Sequence, residues 1–398
     1  MAKPAVASNI LFHECIADFS FSLYSATGKR DNEFISPYSV TAAMLLLTLG
    51  TGGKTEKQMI SSICGKNKVP TDIHRSYQSL DRKLSRRTNA GVTLSIANRL
   101  FISRIFTVLN TYTTKAQKCY GSDTERLNFA SSPKKSRTRI NNWIATKTNN
   151  KIQNMLPVGV LDANTIIVLA NAIYFKGTWK TKFDPKITQK RNFFVGVYDQ
   201  RQIDMMYGVF DATSGENTNL ACKVLQLPYS GNQLSMVLIL PNDGKGLAQL
   251  EKKLTFDKFK NLLSGLRKQK TIIRIPKFTV ETEYDLQPIL KRMGMTEIFD
   301  DRVANFTNMV TPKLNRQGVY VSDARHKAYI EVNEEGSLAA AATTVAVSTR
   351  SFAKLPFEFV ADHPFMFLIR DNESGTILFM GKYVAPWIKQ QKFLNYVI

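Results

Sequence analysis

Residues 334–350 read Glu-Glu-Gly-Ser-Leu-Ala-Ala-Ala-Ala-Thr-Thr-Val-Ala-Val-Ser-Thr-Arg. Between Gly336 and Thr349 there is no charge, proline or aromatic ring, and nothing bulkier than Leu338. The local preferences conflict. Ala339, Ala340, Ala341 and Ala342 favour a helix, whereas Thr343, Thr344, Val345 and Val347 are β-branched and favour a strand. The segment has too little apolar area to anchor itself in a core, yet each side chain is small enough to be buried if a slot opened. As a strand it would place Ser337, Ala339, Ala341, Thr343 and Val345 on one narrow face. It ends at Arg350-Ser351, a bond suited to a trypsin-like protease. Composition alone would make it a flexible linker or a surface loop.

The surroundings change that reading. Glu334-Glu335-Gly336-Ser337 before a small-residue run resembles the hinge of a serpin, and Phe359–Ile369, FVADHPFMFLI, resembles the family's carboxy-terminal signature. Asn171–Trp179, NAIYFKGTW, is a further match, and the resemblance runs from about Ile10 to Trp387. It implies an α+β fold: one large domain over 1–398 (core 10–387, tail 388–398), with three β-sheets, about nine helices and an exposed reactive-centre loop, 334–358. It also implies suicide inhibition, in which a protease cleaves the loop and the freed segment adds to a sheet as a new strand. The family spacing places the cleaved residue fourteen positions after the hinge glycine and about fourteen before the signature proline. Gly336, Arg350 and Pro364 satisfy both counts, whereas the rival Lys354-Leu355 makes the inserting segment four residues too long. By the same resemblance, Ser36, Ser39, Asn171 and His326 form the polar group that lets the main sheet part. Trp179 sits where the loop first enters, and Lys277 pairs with Glu334 as a latch.

Composition bounds the alternatives. With 43% hydrophobic residues the chain can bury a large core, and its longest apolar runs fall far short of a membrane span. The 54 Lys and Arg against 32 Asp and Glu give +22, which implies affinity for polyanions. Helix periodicity over 72–87 puts Ile73, Tyr77, Leu80 and Leu84 on one stripe. Arg75, Arg82, Lys83, Arg86 and Arg87 gather beside it within about 140° of arc. By its place in the chain this resembles the serpin helix that binds heparin in coagulation inhibitors, so a heparin-like glycosaminoglycan is the expected activator. Arg267, Lys268, Lys270, Arg274 and Lys277 compete for that role, as do Lys134, Lys135, Arg137 and Arg139. Nucleic acid is not an expected partner, and the expected species is a monomer.

Nothing argues for catalysis. The four histidines lie near no Gly-x-Ser-x-Gly elbow, and no His, Cys, Asp and Glu grouping has metal-ligand spacing. Thr51-Gly52-Gly53-Lys54-Thr55 imitates a phosphate loop, but Thr48 stands where that motif needs its first glycine, and a helix precedes where a strand is needed. No cofactor is expected. Cys15, Cys64, Cys119 and Cys222 allow either disulfides or four thiols. The first residues lack a secretory segment, so the chain is cytoplasmic or its signal has been removed. Acceptor triplets at Asn305 and Asn372 favour the extracellular reading. Further helices are expected over 10–26, 40–49, 138–156 and 286–293, and strands over 94–103, 166–174 and 272–280. A non-inhibitory serpin, acting as a carrier, chaperone or polyanion-binding protein, is the alternative. Its hinge would usually be bulky or charged, unlike Ser337–Ala342.

Overall fold

Helix α1 (Pro4–Thr27) carries Phe12, Ile16, Phe19 and Leu23, spaced four, three and four apart, and this stripe is buried. The computed structural model describes residues 4–28, 31–65, 69–85, 91–196, 198–311, 318–335 and 355–386. After strand β1 (Glu33–Ile35) comes α2 (Pro37–Thr48), largely apolar and buried at every position. Ser36 caps it by accepting from the Ser39 amide, and Pro37 takes the first turn, where no amide donor is needed. Helices α3 (Gly53–Cys64) and α4 (Ile73–Ser85) pack over this centre. The phosphate-loop mimic is a structural turn: Gly52 N–H donates to Asn305 O, and Lys54 pairs with Glu297 at 2.9 Å.

Next come β2 (Val92–Ser103), α5 (Asn110–Tyr120), β3 (Thr124–Leu127), α6 (Pro133–Lys147), β4 (Ile167–Gly177), β5 (Gln189–Phe194) and β6 (Gln200–Asn217). Then follow β7 (Cys222–Pro228), β8 (Leu234–Pro241), α7 (Leu247–Lys253), α8 (Phe256–Ser264), β9 (Arg267–Pro276) and β10 (Phe278–Asp285). The last are α9 (Leu286–Arg292), β11 (Val321–Val332), β12 (Phe357–Val360), β13 (Phe365–Asp371) and β14 (Ile377–Tyr383). Two expected elements are corrected. The helix expected over 138–156 starts at Pro133 and stops at Lys147, because Asn149, Asn150 and Asn154 take left-handed backbone angles. The strand expected over 272–280 is two strands in different sheets, broken after Pro276, which cannot donate to a ladder.

A five-stranded sheet runs β10-β11-β4-β2-β3. Its middle strand β4 is apolar from Ile167 to Phe175 except at Asn171, because both faces are covered. Ile167, Leu169, Ile173 and Phe175 join the main core, while Val168, Ala170 and Ala172 pack with Ile140 and Ile144 of α6. β4 and β11 lie parallel and adjacent, with His326 opposite Asn171. The second and third expected sheets share hydrogen bonds, in the order β1-β14-β13-β8-β7-β6-β9-β12 with β5 on β6. The cause is β6, whose eighteen residues pair with β5 and β9 along most of their length and with β7 at the end. Cys15 and Cys64 form a disulfide between α1 and α3, and Cys119 and Cys222 are free thiols.

Beyond β4, Trp179 stacks on Tyr229 with ring centres 4.7 Å apart. Gly177 permits this, since a Cβ there would meet the buried Tyr229 ring at 2.5 Å. Gly177→Ala is expected to lower stability in urea unfolding by about 1–3 kcal/mol. An unchanged midpoint would mean that this packing is slack.

Candidate functional site

Under the β4–β11 seam lies a chain of buried polar groups. The Ser36 amide donates to His326 Nε2 at 3.1 Å, so Nε2 is an acceptor and the ring proton sits on Nδ1. Nδ1–H donates to Asn171 Oδ1 at 2.5 Å. The Asn171 amide nitrogen donates to Ser39 Oγ at 2.8 Å and to Ser39 O at 3.1 Å. Ser36 Oγ donates to Leu378 O at 2.7 Å and accepts from the Ser39 amide. Ser36, Ser39, Asn171 and His326 are all fully buried. His326 belongs to β11 and Asn171 to β4, so the one imidazole ties the two strands to the start of α2.

At the end of this seam is the start of the 336–354 connection. Glu334 is buried, its Oε2 lying 2.8 Å from Lys277 Nζ and its Oε1 accepting from the Thr188 hydroxyl at 2.7 Å. Burial disfavours the charged carboxylate, but the hydrogen bonds from Lys277 and Thr188 outweigh it and hold the group below its ordinary value. Trp179 Nε1–H donates to Asn333 O at 2.9 Å, pinning the preceding residue. Thr188 is absent from the sequence reading, because nothing in its neighbourhood signals a partner 146 residues away. The far end of the connection leads into β12, a four-residue strand paired, among the described residues, with β9 alone. Beyond β12, His363 Nδ1 meets Asp362 Oδ1 at 2.7 Å and its Nε2 meets Pro241 O at 2.8 Å. Burial pulls this imidazole down, but its two acceptors raise it above the ordinary value.

Gly336, Ser337, Ala339, Ala340, Ala341, Ala342, Arg350 and Ser351 lie outside the described residues, as do Arg86 and Arg87. Helix α4 buries Ile73, Tyr77, Leu80 and Leu84 as its periodicity predicts, and the Arg75 side chain is 84% exposed. Asp81, next to Arg82 in the chain, turns inward to accept from Tyr38 at 2.6 Å. Asp72 instead reaches Arg75, at 3.8 Å. Burial holds His74 neutral, down at about 4. Lys115 and Lys118 of α5 add to the field around α4, and only folding brings them there. Of the rival clusters, Arg139 is committed to Glu125 at 2.7 Å, Arg137 donates to Leu156 O, and Lys277 holds Glu334. Asn305 Oδ1 accepts from Thr307 Oγ1. The Asn372 amide nitrogen donates to Asn232 O, which a glycan there would have to accommodate. Among the described residues no group of three or more His, Cys, Asp and Glu side chains could hold a metal, and no helix is long and apolar enough to cross a membrane.

His326→Ala leaves the Ser36 amide and Asn171 Oδ1 without this partner, so denaturant unfolding should show a loss of about 1–3 kcal/mol for each orphaned group. Glu334→Lys is expected to cost about 2 kcal/mol and to increase polymer on size-exclusion chromatography; unchanged melting and monomer content would refute a latch. The folded carboxyl titrates below its ordinary 4.5, so the latch stabilises at neutral pH and is lost as pH falls through and below that value.

The family model described as serpin (serine protease inhibitor) matches residues 14–386. Human Serpin B8 is 38% identical over 378 residues, covering 94% of this chain and 99% of its own length. Leukocyte elastase inhibitor of Sus scrofa is 37% identical over 380 residues, with 92% and 97% covered. A crystal structure of uncleaved ovalbumin superposes with a TM-score of 0.86 at 28% identity, covering 94% of this chain and 99% of that one. With this fold and these matches, the chain belongs to the serpin family of serine protease inhibitors.

Proposed function

We propose that this serpin is a covalent suicide inhibitor of trypsin-like serine proteases that cleave after Arg350. The observation that carries the reading is the direct parallel pairing of β4 with β11 over a buried polar cluster, together with the small side chains of 336–349. That segment departs from the end of β11. Turned back between β11 and β4, it would run antiparallel to both and form ladder bonds on both sides. The protease serine attacks the Arg350 carbonyl to give an acyl-enzyme, with the new amino terminus at Ser351 leaving. Cutting removes the tether to β12. Fourteen residues at about 3.3 Å each could then carry the attached protease roughly 45 Å along the sheet. Trapping requires insertion to outrun hydrolysis of the acyl bond, and small residues from Ser337 to Ala342 favour that.

A heparin-like polyanion accelerating the reaction through Arg75, Arg82, Lys83, Arg86 and Arg87 is part of the proposal, supported by the exposed α4 face and by Lys115 and Lys118 beside it. So is an extracellular location, supported by the Cys15–Cys64 disulfide, since such bonds persist mainly in oxidising compartments, and with it glycosylation at the Asn305 and Asn372 triplets.

The test is incubation with trypsin, followed by denaturing gels with and without heparin. An SDS-stable band at the summed mass, with a released peptide beginning at Ser351, is expected. Arg350→Ala should abolish the band. Arg75→Ala with Arg82→Ala should remove any heparin acceleration at unchanged basal rate. Clean cleavage after Arg350 with no stable band would overturn the inhibitor reading in favour of a carrier or chaperone.

A further inference from the structure

Two adjoining cavities open on the group β5, β6, β9 and β12, and the inhibitory reading uses neither. The larger, about 490 Å³, is lined by Arg191, Met205, Arg274, Val360 and Asp362, among others. The smaller, about 270 Å³, shares Arg191, Met205 and Arg274 and adds Ile187, Gln189 and Tyr207. Strand alternation puts Arg274 on the face opposite the buried Thr271, Ile273 and Ile275.

The charges in this cleft do not balance. Lys190 is neutralised by Asp204 at 3.0 Å, and Asp362 is engaged by His363. Arg191 donates to the neutral Gln189 Oε1 at 3.3 Å, and the Arg274 guanidinium lies over the Tyr207 ring, 5.0 Å from its centre. Among the described residues neither arginine has a carboxylate within ion-pair distance. A guanidinium lying over an aromatic ring keeps its N–H edge available, and two such forks in one concavity suit a tetrahedral oxyanion.

The walls of the cleft are the two anchors of the 336–354 connection. Ile187 and Gln189 flank Thr188, whose hydroxyl donates to Glu334. On the other side Arg274 is paired with Val360 of β12, and its carbonyl accepts from the Ala361 amide at 2.9 Å. An anion bridging Arg191 of β5 to Arg274 of β9 would therefore hold the segment that carries the hinge contact against the strand that carries the loop's return. We propose that this cleft binds a phosphate or sulfate group through Arg191 and Arg274, and that its occupancy restrains the Glu334 hinge through Thr188. The second half of the proposal rests on the inhibitory reading; the first does not.

Calorimetric titration with pyrophosphate, and separately with sucrose octasulfate, at constant ionic strength tests the site. Saturable binding by at least one is expected, weakened roughly tenfold by Arg274→Gln or Arg191→Gln and unchanged by Arg302→Gln, an exposed arginine that lines neither cavity. Arg191 is exposed on β5, so its variant stays informative if Arg274→Gln fails to fold. No saturable binding to either probe, or equal binding by all variants, would overturn the site. The hinge coupling is read as slower formation of the trypsin complex at saturating probe, with trypsin activity on a small substrate as control. Thr188→Val should keep binding and lose the slowing; an unslowed wild type would overturn the coupling. Absence of any complex, with or without probe, would count against the inhibitory reading and leave the calorimetric result standing.

Discussion

Two parallel strands, β4 and β11, lie side by side in the middle of a sheet, and the segment that follows β11 has the composition of a strand that could lie between them. On the inhibitory reading, a seam of that kind must be held shut and yet be separable. Apolar side chains interlocked across it would hold it too well, because burial is non-directional and is lost only gradually. Hydrogen bonds to one imidazole are different, since they are lost together when the ring moves. His326 reaches β4 through Asn171 and α2 through the Ser36 amide, so parting the strands requires a discrete rearrangement of one buried network. Ser36 and Ser39 keep the α2 end small.

The hinge follows the same logic nearer the surface. Glu334 is buried enough that its charge needs partners, and it finds them on two other elements: Lys277, between β9 and β10, and Thr188, before β5. The start of the loop is therefore fastened to the strand group that also receives its end at β12. This circular arrangement makes the cleft walled by Arg191 and Arg274 more than a surface feature.

The net charge of +22 is not spread evenly in its consequences. Several cations do structural duty, as Lys54 with Glu297, Arg139 with Glu125 and Lys382 with Glu251 do. On α4 the exposed cations face water, while Asp81 points inward and His74 is kept neutral by burial. That asymmetry leaves a positive face on the helix, to which α5 contributes.

Family, fold class and the most strongly patterned elements were legible in the chain alone. The largely apolar α2, the Ser36-Pro37 start signal and the largely apolar β4 run are local patterns whose physical causes are local. The α6 boundaries and the β9–β10 break were misread because left-handed asparagines and a single Pro276 act over one or two residues inside a longer periodic pattern. The role of Thr188, the inward turn of Asp81 and the unbalanced charge of the cleft could not have been read from sequence. Each depends on residues distant in the chain. The sequence by itself determined the strongly patterned helices and strands and which segment is small enough to be inserted, because propensity and patterning are set by near neighbours. Only the tertiary structure decided which charges are neutralised, which hydroxyl reaches Glu334 and which strands share a seam, because those depend on through-space distance and burial.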